Sequence, residues 1–100
     1  MDVKIVERID ADLQGLVSGF IKITYNEIKD LEDALNAGDM DVAARIGHNL
    51  KGSALNYGFS QLGVIGLRIE TCAALNKPEE VQVELEVLKD YVERVEVEFV

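Results

Sequence analysis

The sequence predicts an all-α fold: an antiparallel up-down-up-down four-helix bundle with a short N-terminal helix or arm. Three observations carry this. Apolar residues recur at steps of three and four along successive stretches, the spacing that lines one face of an α-helix. The breaks between stretches are short and fall at Gly38, Gly58 and Asn76–Pro78, which suits helices packed beside their sequence neighbours. The composition is 48% hydrophobic with one proline and no tryptophan, as expected of a helical core. A chain of 100 residues is one domain by length, so residues 1–100 are expected to form a single unit with one core.

The chain opens with Val3, Ile5 and Ile9 among charges, either a short extended arm or the approach to a helix. Asp10 or Asp12 can cap the first long helix, because a side-chain oxygen there can accept from the free N–H groups of a first turn. Leu13, Leu16, Val17, Phe20, Ile21, Ile23, Ile28, Leu31 and Leu35 then recur at helical spacing. Gly15 and Ser18 could divide this stretch into a short helix and a longer one from about Gly19 to Ala37. Gly38 is the natural residue to end it.

Asp39 is the expected N-cap of the second long helix, with Asp41 in its first turn, where the helix dipole favours negative charge. Ala43, Ile46, Leu50, Ala54 and Tyr57 make its apolar face, and Gly58 ends it. Ser60 can cap the third helix, whose inward stripe is Leu62, Ile65, Ile69, Cys72, Ala73 and Asn76. Gly63, Gly66, Ala73 and Ala74 make that helix thin and permit close packing against a neighbour, at a cost in helix propensity. Asn76-Lys77-Pro78 reads as a stop followed by a helix start. The fourth helix carries Val81, Leu85, Leu88, Val92 and Val95, and its stripe can extend to Phe99. Val95, Val97 and Phe99 also alternate with period two, so the last residues could leave the helix and pair with the Val3–Ile5 arm.

The net charge of −9 argues against nucleic-acid binding, which needs a basic footprint. Residues 42–69 contain no acid, only Arg45, Lys51 and Arg68, so the local field there is expected to favour an anion. Cys72 is the only cysteine, which excludes an internal disulfide; it reads as a small buried hydrophobe. Asp2, Lys4 and Glu7 interrupt the N-terminus before a signal-peptide core can form. No apolar run approaches the roughly 20 residues of a membrane span. A cytoplasmic, free-standing monomer is expected.

The only histidine, His48, lies inside the acid-free segment. It is two residues past Ile46, about 200° around the helix, and so points away from the core. Lys51 and Gly52, at i+3 and i+4, share its face. The stripped position at Gly52 suggests that a large partner must approach the ring, and Gly47 and Gly52 each sacrifice about 1 kcal/mol of helix propensity, which an incidental surface helix has no reason to accept twice. One histidine and one cysteine cannot make a multi-ligand His/Cys metal site, and no glycine-rich phosphate loop is present. No carboxylate lies near His48 in sequence to orient it as a base, although a distant one could. His48 is then read as a nucleophile, with Lys51 offsetting negative charge in phosphoryl transfer. Arg68, as far after Gly58 as His48 is before it, could reach over the ring from the third helix.

The run His48-x-x-Lys51-Gly52-Ser53, closed by Gly58, resembles the signature of histidine-containing phosphotransfer (HPt) domains of multistep two-component signalling. The wider context, Gly47 through Ser53 with Tyr57-Gly58-Phe59, is similar to a bacterial branch of that family. Tyr57 departs from the aliphatic residue usual there but still fits the core stripe. The resemblance implies His48 as phosphoacceptor, Lys51 as the residue that stabilises the phosphoryl group, Gly52 as room for the partner and Ser53 packed beside the motif. Arg45, Leu55 and Arg68 are the expected docking residues. Implied partners are receiver domains of response regulators or hybrid histidine kinases, which bring the aspartate and its Mg²⁺; the chain itself needs no cofactor and does not use ATP. Two other readings are a non-catalytic adaptor that binds receivers near Leu55, and a phosphohistidine intermediate for a sugar-uptake type of donor, against which the all-helical pattern argues.

Overall fold

Local chemistry sets most of the helix boundaries. In the computed structural model, which describes residues 3–100, α1 (Gln14–Ala37) ends at Gly38, where φ is 68° and the N–H bonds back to Ala34 and Leu35. Such a left-handed turn favours glycine. Asp2, one of the charges that break up the N-terminus, lies with Met1 outside the described residues. α2 (Met40–Tyr57) starts from Asp39, whose carboxylate accepts the Val42 N–H at 3.1 Å, and ends at Gly58 with φ 85°. α3 (Ser60–Ala74) and α4 (Pro78–Arg94) complete the helices. Pro78 opens α4 where its missing N–H would have had no helical partner.

The start of α1 differs from expectation. Gly15 and Ser18 do not divide it; a 3-10 turn over Ala11–Leu13 precedes one unbroken helix, and the Asp10 carboxylate caps that turn by accepting the Asp12 N–H at 2.8 Å. Phe20, Thr24, Ile28, Leu31 and Ala34 are its buried residues. Leu16 and Ile23, assigned to the stripe, are instead exposed at 54% and 55%. Thr24 takes an inward place because its hydroxyl donates to the Phe20 carbonyl at 3.0 Å, leaving no unpaired polar atom. Asn76 is also not inward: it is exposed in the α3–α4 turn with φ 57°, a conformation asparagine tolerates. Cys72 is buried, and burial pushes its thiol pKa up, as befits an inert core residue.

The two ends of the chain form a sheet. β1 (Ile5–Ile9) pairs in parallel with β2 (Val95–Phe99), in the register Ile5↔Val95 to Ile9↔Phe99. The pairing anticipated from period-two alternation therefore exists, shifted from Val3–Ile5 to Ile5–Ile9. Parallel strands need a long crossover, and here the four helices supply it. Ile9 and Glu7 point inward and are buried. Lys4–Glu96 and Arg8–Glu98 pair across the exposed face at 3.2 and 3.9 Å, where such contacts add little.

Glu7 replaces Ser60 as the cap of α3. It is 2% exposed. One carboxylate oxygen accepts the Gln61 and Leu62 N–H groups at 3.1 and 3.2 Å and the Tyr91 hydroxyl at 2.7 Å. The other accepts from Ser60 Oγ at 3.4 Å. A negative charge at a helix N-terminus meets both free donors and the positive end of the dipole, so this buried acid is fully satisfied. Burial first, and the hydrogen bond to Glu7 second, push the Tyr91 pKa up. The network ties β1, α3 and α4 into one core.

Candidate functional site

The core residues of α2 decide what the helix shows to solvent. Ala43, Ile46, Leu50 and Ala54 are buried, and at about 100° per residue His48 falls opposite their mean direction. Its side chain is 62% exposed. Arg45, Gly52 and Leu55 lie within about 60° of it on the same count and are exposed too. Lys51 turns towards α3 and is half-buried; Asn49, Ser53 and Asn56 turn towards α1.

α3 brings a carboxylate that the residues around His48 in sequence do not foretell. Glu70 Oε2 lies 2.7 Å from His48 Nδ1, and Glu70 Oε1 accepts from Lys51 Nζ at 2.7 Å. A carboxylate only accepts, so Nδ1 carries the proton in this contact and the lone pair of the neutral ring sits on Nε2. The Lys51 hydrogen bond first, and the His48 one second, hold the Glu70 pKa below the usual carboxylate value. The acid therefore stays ionised and keeps both partners in place.

Glycines allow this approach. A Cβ on Gly47 would lie 2.5 Å from the Glu70 backbone nitrogen and 2.9 Å from the Gly66 carbonyl oxygen. A Cβ on Gly66 would lie 2.6 Å from the Lys51 backbone nitrogen. Gly47 thus belongs to the α2–α3 seam, so its cost in helix propensity has a packing reason and is not a mark of the site. Gly52 has no atom within 4 Å of its missing Cβ and leaves open space beside His48. Further along, Gly63 faces Leu55 and Ala54, so contacts descend α2 as they ascend α3.

Arg68 does not reach over His48. Its Nε donates to both oxygens of Glu84 on α4, at 2.9 and 3.0 Å. Equal distance from the turn gives height but not azimuth. Arg68 is about 200° around α3 from Gly66, whereas Glu70 is within about 40° of it, so α3 presents Glu70 to α2. Glu70 also sets a negative charge 2.7 Å from Lys51, which weakens the positive field expected of the acid-free segment.

On its other side His48 borders an open groove of about 490 Å³ between α1 and α2, lined by Ile23, Glu27, Asn49, Gly52, Ser53 and Asn56. Glu27 is half-buried, and burial, reinforced by Asp30, pushes its pKa up to about 6. Among the described residues no three His, Cys, Asp or Glu side chains gather as a metal site, and no helix is long and apolar enough to cross a membrane.

Glu70 carried one readable signal: it is the first acid after the acid-free run and shares a face with Gly63 and Gly66. Glu27 and Ile23 carried none, because their place beside His48 depends on how α1 lies against α2.

A family model described as "Hpt domain" matches residues 6–98. No curated protein and no solved structure matches the chain.

Proposed function

Because the chain belongs to the Hpt domain family, whose members carry phosphoryl groups in two-component phosphorelays and interact with receiver domains, we propose that His48 is its phosphoacceptor. It takes the group from an aspartate of one receiver and passes it to another. The observation that carries this reading is the Glu70–His48–Lys51 contact. Glu70 accepts from Nδ1, so Nε2 keeps its lone pair and faces the partner. Nε2 attacks the phosphorus of the receiver's aspartyl phosphate in line; an N–P bond forms, the P–O bond breaks, and the aspartate leaves as carboxylate. The ring becomes cationic, with its Nδ1 proton held against ionised Glu70. Lys51, 2.7 Å from the other Glu70 oxygen, keeps its ammonium beside the ring to offset phosphoryl charge.

In this reading the chain is a phosphocarrier, and the receiver brings the aspartate and Mg²⁺. Gly52 gives the partner room, while Ser53, Leu55 and Arg45 flank the approach. We place Arg68 outside the site. The four helices act as an antiparallel up-down-up-down bundle, supported by the descending contacts of α2 on α3. Residues 1–100 serve as one domain, supported by one buried cluster running from Ile9 to Val92. We take it to work as a cytoplasmic monomer that does not bind nucleic acid.

The test is to incubate the protein with phosphorylated receivers and look for acid-labile, base-stable phosphate. Wild type should gain it and His48→Gln should not. Equal labelling of both would reject His48 as acceptor.

A further inference from the structure

We propose that Glu27 receives a cationic side chain of the docking receiver, and that it thereby selects which receivers the carrier accepts. The inference rests on the reading of His48 as phosphoacceptor and names the chemistry of its partner.

The groove beside His48 has two unlike walls. α2 supplies Asn49, Gly52, Ser53 and Asn56, all small or neutral; α1 supplies Ile23 and Glu27, one turn apart. A partner that reaches His48 over the open position at Gly52 meets both walls. Ile23 is 55% exposed, so it offers an uncovered apolar surface directly beside a carboxylate. That pairing fits the stem and head of a lysine or arginine: the methylenes lie on Ile23 and the charge meets Glu27. An aliphatic side chain would leave the half-buried carboxylate further desolvated, and an acidic one would repel it.

Glu27 has no partner of its own to compete. Among the described residues it makes no ion pair and no side-chain hydrogen bond. Arg45 lines the adjoining groove with it but forms no ion pair either among those residues. The charged and titratable groups facing the two grooves are Asp30 and Asp33 from α1, Asp39 from the cap before α2, and Arg45 and His48 from α2; no residue of α3 or α4 lines them. The unfavourable ionisation of Glu27 is the free-energy gap that an incoming cation would close. The other acid beside His48 lacks this property: Glu70 is already held by Lys51 and His48.

The experiment measures phosphotransfer from a panel of phosphorylated receivers to wild type, Glu27→Gln, Glu27→Lys and Glu27→Asp, at low and high salt. Thermal unfolding confirms that each variant is folded. With the receiver that serves wild type best, KM should rise about tenfold in Glu27→Gln and further in Glu27→Lys, with kcat within about twofold; about tenfold corresponds to one charged contact. Glu27→Asp should recover most of the loss. The salt dependence of KM should flatten in the Gln variant, as loss of an ion pair requires. Unchanged KM in both Gln and Lys variants, or a loss confined to kcat, overturns the assignment while phosphorylation of wild type leaves the His48 reading intact. If wild type accepts phosphate from no receiver, the His48 reading falls and the Glu27 assignment falls with it.

Discussion

His48 Nδ1 and Glu70 Oε2 lie 2.7 Å apart across the α2–α3 seam, although 22 residues separate them in the chain. The contact exists because Gly47 and Gly66 bring the two backbones close enough for a short acidic side chain to span them. A requirement of helix packing and a requirement of the imidazole are therefore met by the same pair of helices. The second Glu70 oxygen holds Lys51, so one carboxylate fixes both the ring and the cation beside it.

Glu70→Ala should remove the preference for the Nδ1–H tautomer and slow phosphotransfer about tenfold, the rate equivalent of one hydrogen bond of about 1.5 kcal/mol to a ring that becomes charged. Nitrogen NMR of the imidazole reads the tautomer directly. An unchanged tautomer ratio would show that Glu70 does not orient the ring.

Lys51→Ala should slow transfer and also let the Glu70 pKa rise towards 4.5, since the Lys51 hydrogen bond is the largest cause of its depression. The sign comes from linkage. A carboxyl with a lowered native pKa adds stability above its unfolded value, and that contribution disappears as pH falls through the native value. Carboxyl NMR titration of Glu70 in both proteins checks it; the same midpoint in each would remove Lys51 as the cause.

Gly47→Ala and Gly52→Ala should behave oppositely. At Gly47 the new methyl meets backbone at 2.5 and 2.9 Å, so α2 and α3 must separate, costing about 1–3 kcal/mol as overpacking does. At Gly52 it meets nothing within 4 Å, and helix propensity should add up to about 1 kcal/mol. Urea unfolding gives both values. Gly52→Gln should hinder transfer from receivers despite a stable fold.

How much could be read from the chain depends on the range of each signal. Gly38, Gly58 and Pro78 act through their own backbones and Asp39 through a carboxylate that reaches only three residues on, and all four mark boundaries in the structure. The outward direction of His48 needed only its spacing from Ile46. Arg68 failed because its placement required the rotation of α3 about its axis, which height above a turn does not contain. Glu7 was unreadable for a different reason: amid Lys4, Arg8 and Asp10 it looks solvated, and its partners Gln61 and Tyr91 lie 54 and 84 residues away.

Glu7→Ala should cost about 3 kcal/mol, because it strands the first N–H groups of α3 and the Tyr91 hydroxyl in the interior. Urea unfolding measures the loss, and hydrogen exchange should localise it to the first turn of α3. A change under about 0.5 kcal/mol would mean that water satisfies those donors and that β1 does not anchor the bundle.

Glu27 gives the bundle a pH dependence of its own. Its pKa is raised from 4.5 to about 6 in the folded state, so the native protein binds more protons than the unfolded chain between those values. Stability therefore falls as pH rises from 4.5 to about 6 and is lower by a constant amount above that. The groove is open to water, and screening reduces the full linkage value to about 1 kcal/mol or less. Glu27→Gln should be more stable than wild type by that amount at pH about 8, with the difference shrinking towards zero near pH 4 because both side chains are then neutral. Urea unfolding of the two proteins across this range checks the sign. A Gln variant that loses stability at pH about 8 would mean that the ionised carboxylate is held by a favourable contact, and that a receiver's cation would have a competitor to displace.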